Sequence, residues 1–141
     1  MTIESELDDH ATDVVWACNY KILAFRHIRP LFDRDTTNTI TCSIVFSRLD
    51  YCNVILYGIT DHNLNRLQRV QNSLARVACV APYRSSATRI RRSLHWLPIR
   101  QRIEYKVASL AFKAGSTNCL LPIYLSELVV EYATEEVALF R

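Results

Sequence analysis

The sequence predicts a mainly α fold, a small multi-helix bundle, and three observations carry that expectation. Only Gly58 and Gly115 are glycine among 141 residues, half of which are apolar. A chain so poor in turn-forming residues has few means of building the tight reversals of a β-sandwich. The stretch DHNLNRLQRVQNSLARVACVAP, residues 61–82, repeats apolar side chains at helical spacing. A second long stretch runs from Pro98 to Gly115, with proline where helices open and glycine where they close. At this length one domain with one core is expected.

Taken in order, residues 1–12 read as a loose acidic tail. DVVWACNYKILAFRHI, residues 13–28, is apolar enough for a buried helix, and Pro30 closes it. DTTNTITCSIVFSRL follows, with Asp35 as N-cap. Its Thr, Ile and Val content gives poor helix propensity, so a strand rivals the helix here. LDYCNVILYG is a short buried helix or a strand, ended by Gly58.

The clearest helix is capped by Asp61 and stopped by Pro82. Leu64, Leu67, Val70, Leu74, Val77 and Ala78 share one arc of roughly 160°. Arg66, Arg69 and Arg76 lie opposite, with Asn65, Asn72 and Ser73. Gln71 falls inside the apolar arc, where its amide needs a buried partner or costs a few kcal/mol. ATRIRRSL forms a short helix with Ser86 as cap.

Pro98 then opens the long helix, and Trp96 and Leu97 are placed to fold back on its first turn as a staple. Ile99, Ile103, Val107, Leu110 and Ala114 form one apolar face of it. Tyr105, Ala108 and Phe112 form another, with a ridge of Arg102, Lys106 and Lys113 between. Two apolar faces imply packing on two sides. Arg102 and Lys106 are like charges four residues apart, a repulsion that a phosphate or a carboxylate elsewhere in the fold would relieve. PIYLSEL, residues 122–128, starts a last short helix. Residues 131–141 form an acidic tail, which leaves 13–130 as the helical domain.

Several function classes are excluded by composition. Two glycines cannot supply a Rossmann fingerprint, and no Walker loop or GxSxG elbow is present, so no cofactor and no small-molecule substrate is expected. Five scattered cysteines (18, 42, 52, 79, 119), an odd number without CxxC, read as reduced thiols, and the N-terminus has no signal-peptide character. Both point to an intracellular, non-secreted protein. No run of about 18 apolar residues exists, so no membrane span is expected. Cys52 and His62 read as a buried thiol and a surface histidine rather than a metal pair, and no metal is expected. His95 reads as a packed or capping residue, since no Ser, Cys or carboxylate motif accompanies it.

Net charge is only +3, but residues 1–61 carry −4, residues 62–113 carry +10 and residues 114–141 carry −3. A basic block of this kind is the usual footprint of a polyanionic partner, RNA or DNA.

Four blocks occur in order: SRLDYCNVILYG, LNRLQRVQNSLARV, SLHWLPIRQRIEYKV and LPIYLSELV. Together they resemble the region C-terminal to the polymerase core in reverse transcriptases of non-LTR retrotransposons, of the LINE, chicken-repeat or jockey-like type, over about residues 15–130. The resemblance implies a thumb-like helical region with no polymerase palm. It implies no catalytic residues either: the family's metal-binding turn is aromatic-x-Asp-Asp, whereas Asp8-Asp9 follows Glu6-Leu7. The acidic turn after the last block departs from the family and implies a truncated element copy. In such a thumb the phosphate contacts fall to Arg66, Arg69, Arg76, Arg102 and Lys106, then to Arg89, Arg91 and Arg92, with Trp96, Pro98 and Gln71 as structural residues. The rival readings are a helical module whose basic faces meet acidic proteins, and a degenerate fragment without function.

Overall fold

The computed structural model describes residues 3–51 and 56–115. All regular structure among them is helical: α1 (Ile3–Ile28), a 3-10 turn (Arg29–Leu31), α2 (Arg34–Thr41), a π segment (Cys42–Phe46), α3 (Ser47–Tyr51), α4 (Asp61–Ala78), α5 (Ala87–Ser93) and α6 (Ile99–Gly115). The chain divides into two compact units, residues 1–106 and 107–141, and the division falls inside α6. Residues 116–141, with the expected helix at 122–128 and the acidic tail, lie outside the described residues.

The first unit is a helical bundle around α4. Leu64, Leu67, Val70, Leu74, Ala75 and Ala78 bury one face of that helix against Val14, Cys18 and Ile22 of α1, Val45 and Phe46 of the π segment, and Trp96, Ile99 and Ile103. The expected apolar arc is the buried face, except that Ala75 is fully buried and Val77 only half so. Residues 3–12 are not a loose tail; they are the first turns of α1. Ala11 is buried, Asn63 donates to the Asp8 carboxylate, and Arg66 donates to the Thr12 hydroxyl at 2.9 Å. The acidic residues there sit where the helix dipole favours negative charge.

The Thr-rich stretch is helical, and its hydroxyls explain how. Thr37, Thr39, Ser43 and Ser47 each donate to the carbonyl four residues back, at 2.6–3.0 Å. This satisfies the side chains within the helix, and back-bonding of this kind bends a helix. Here the ladder widens to a π turn at Cys42–Phe46, which leaves Val45 and Phe46 both buried. The N-cap of α2 is Asp33, whose carboxylate accepts from Thr36 N at 2.9 Å, and not Asp35, which stands in the first turn. Likewise Thr60 caps α4, and Asp61 is its first helical residue. Ser86 holds the cap position of α5 without a side-chain bond.

Two helices end in the same way without glycine. After α4, Val80 has φ 51°, Ala81 N donates to Arg76 O at 2.8 Å and Val80 N to Val77 O at 3.1 Å. After α5, His95 has φ 57°, Trp96 N donates to Arg91 O at 2.9 Å and His95 N to Arg92 O at 3.1 Å. Both are Schellman closures, with the left-handed residue supplied by valine and histidine. His95 is thus a capping residue through its backbone, with its side chain exposed.

Pro98 stands just before α6, and its carbonyl accepts the first helical bond, from Arg102 N at 3.0 Å. Of the two expected staple residues only Trp96 is buried, in one cluster with Ile99 and Ile103 of the first turns of α6. Leu97 is half exposed, and Trp96 turns into the core, where its ring meets Phe46 edge-on at 4.6 Å and 84°. The second apolar face of α6 is also unpacked: Tyr105 is exposed, and so are Ala108 and Phe112 in the 107–115 stretch.

Candidate nucleic-acid interface

The eight cations nominated from sequence separate into two groups. Arg66, Arg76, Arg91 and Arg102 are half-buried, and all but Arg91 bond to groups of another segment. Arg66 Nη1 donates to Thr12 Oγ1 at 2.9 Å and to Asn63 Oδ1 at 3.0 Å, tying the start of α4 to α1. Arg76 Nε reaches Ser85 O at 3.3 Å, and its guanidinium lies 5.4 Å from the centre of the Tyr83 ring. Arg102 grips Asp50 with Nε, at 3.0 Å, and Nη2, while its guanidinium sits 4.3 Å above the Phe46 ring. The Asp50 carboxylate is thus one group that relieves the Arg102–Lys106 repulsion. Arg91 Nη2 meets Thr88 Oγ1 at 3.4 Å, its Nε and Nη1 are closed off from solvent without an acceptor, and burial pushes its pKa down.

Arg69, Arg89, Arg92 and Lys106 are exposed, and no ion pair joins them to a carboxylate among the described residues. Arg89 and Arg92 are three residues apart on α5 and share a face. Arg100, a further cation of the basic block, is paired with Asp61 at 2.6 Å.

A groove of about 680 Å³ opens where the ends of α1 and α4 meet. Ile22, Val77 and Pro82 line it with Arg26, Arg29 and Arg76. Arg29 Nε donates to Ala78 O and its Nη1 to Phe32 O, both at 2.8 Å, so it caps the carboxyl end of α4. Sequence reasoning passed over Arg26 and Arg29 because they belong to the segment of net −4. Their signal was position: cations collect at helix C-termini, where unsatisfied carbonyls lie.

The structural residues form one polar lock. Gln71, fully buried, donates from Nε2 to Leu97 O at 2.8 Å and accepts from Gln68 Nε2 at 2.8 Å. Gln68 Oε1 accepts from Ile99 N at 3.0 Å and thereby caps the first free N–H of α6. Gln68 was not singled out from sequence, since a half-buried glutamine beside the apolar arc reads as surface. Among the described residues no cluster of His, Cys, Asp or Glu is arranged to hold a metal ion. His62 is exposed, and Cys52 lies outside the described residues. No helix among the described residues is long and apolar enough to cross a membrane. No family model, curated protein or solved structure matches the chain.

Proposed function

We propose that this chain is a non-catalytic, reverse-transcriptase-like helical region that contacts RNA or DNA weakly, through phosphates and without base readout. The observation that carries the reading is the set of exposed, unpaired cations Arg69, Arg89, Arg92 and Lys106 within a segment of net +10. Support for the family resemblance comes from how its blocks use one another. Asp50 of the first block holds Arg102 of the third, and Gln68 and Gln71 of the second hold Ile99 and Leu97 of the third. The residues that make the blocks recognisable are thus spent on mutual packing, which fits a bracing element better than a reaction centre.

The test is fluorescence anisotropy with labelled duplex and single-stranded oligonucleotides at 50 and 200 mM salt. With four phosphate contacts the slope of log K against log salt is about −3.6 for duplex and about −2.8 for single strands, so affinity falls roughly 150-fold and roughly 50-fold across that range. Dissociation constants on the order of 10⁻⁴–10⁻⁶ M at physiological salt are expected, with little dependence on sequence. Equal affinity at both salts would reject the reading. So would template-dependent primer extension by the pure protein in Mg²⁺ or Mn²⁺.

A further inference from the structure

Helix α1 has a second face that the bundle does not use. Its packed side is Ala11, Val14, Cys18, Ile22 and Phe25. On the opposite side Trp16, Tyr20 and Leu23 are 74%, 71% and 58% exposed. Extended by one step each way, to the exposed Asp13 and His27, the spacing is three, four, three, four. That is the seam of a coiled-coil helix, set here on the outside of the molecule.

The two charged ends of the seam lie at equal distances from its centre, and the apolar pair nearly so. Asp13 and His27 stand seven residues either side of Tyr20, and Trp16 and Leu23 stand four and three residues away. Its ends differ in charge: Asp9 and Asp13 mark one, Arg26 and His27 the other. A parallel pairing of two copies would oppose Asp13 to Asp13 and His27 to His27. An antiparallel pairing sets Tyr20 against Tyr20 at the two-fold, Trp16 against Leu23, and each acidic end against a basic one. Opposite charge at the two ends of one helix lets a second copy, turned end for end, complement both of them, as a two-fold interface requires.

We propose that α1 is a homodimer surface, occupied by α1 of a second copy of this chain in antiparallel register about Tyr20. The seam from Asp13 to His27 is about 21 Å long. One helix pair of that length covers less than the roughly 1,600 Å² of a standard interface, so dissociation constants in the micromolar range are expected.

Sedimentation equilibrium of the full chain, from about 1 to 200 µM without nucleic acid, tests this across the expected range. The monomer of 16.3 kDa should give way to twice that mass as concentration rises. Tyr20→Glu should weaken association at least about tenfold, as loss of a central aromatic anchor does, with unchanged helicity by circular dichroism. His27→Asp should also weaken it, by opposing Asp13 with a like charge. Adding Asp13→Lys to His27→Asp should restore it, which only the antiparallel register permits. A monomer at every concentration would overturn the proposal, as would a dimer indifferent to Tyr20→Glu. A double variant no tighter than His27→Asp alone would overturn the register, and association that needs added oligonucleotide would show a bridging nucleic acid instead.

Discussion

Single residues carry strain and charge that their neighbours do not reveal. Val80 is a β-branched residue held at φ 51°, with its side chain exposed, so the left-handed backbone is not offset by packing. The conformation costs about 1–2 kcal/mol in an L-residue, and glycine gives back part of that gain through its freer unfolded chain. Val80→Gly should therefore raise stability by about 0.5–1 kcal/mol in urea unfolding, and a loss would show that the side chain is used. Asp33 acts through charge. Hydrogen bonding from Thr36, through its side chain first and its backbone N–H second, holds its carboxyl below the ordinary aspartate pKa. A depressed folded pKa means that its stabilising contribution is complete above the ordinary aspartate range and is lost as pH falls through the folded value. Asp33→Asn should flatten the acid limb of the stability profile, while leaving the neutral region less changed. An unchanged acid limb would show that the cap contributes nothing.

At the scale of elements, the junction of α4, the π segment and α6 holds the first unit together. Trp96 meets Phe46 edge-on, and Arg102, itself anchored by Asp50, lies over the Phe46 ring. Trp96→Ala should cost about 3–5 kcal/mol, the range for deleting a large core aromatic. A loss below about 1 kcal/mol would mean that the junction is not core. Gln71→Leu keeps the volume but strands Leu97 O and removes one of the two acceptors of Gln68 Nε2, leaving Asn72 Oδ1. Its expected cost is about 1–3 kcal/mol, from the buried groups left unpaired. Thermal melts of both variants beside a surface control would measure these. The helix α2 shows how propensity yields to environment: Thr37 and Thr39, which argued for a strand, are back-bonded within the helix, and Thr41 is buried with its hydroxyl unpaired among the described residues.

Across the whole molecule, the basic block is two things at once. Reversal of Arg69 and Arg89 to Glu should lower oligonucleotide affinity and flatten the salt dependence without moving the melting temperature. Reversal of Arg66 and Arg76 should lower the melting temperature itself, because each holds a carbonyl or hydroxyl of another element. Equal effects of the two pairs on stability would erase the distinction. The sequence by itself determined the helical class, the buried face of α4 and the stop after α1, because periodicity and proline act within a few residues, and it left His95 between packing and capping. It also marked Gln71 as a polar group in need of a partner. Only the tertiary structure decided which partner that was, which carboxylate neutralised Arg102, and which arginines stayed in water. It alone showed that residues 3–12 belong to α1 and that, among the described residues, Trp16, Tyr20 and Leu23 of α1 and Tyr105 and Phe112 of α6 are exposed. Those outcomes depend on residues dozens of positions apart arriving at one place, as Asp8 meets Asn63 and Asp50 meets Arg102, and no local pattern encodes that arrival.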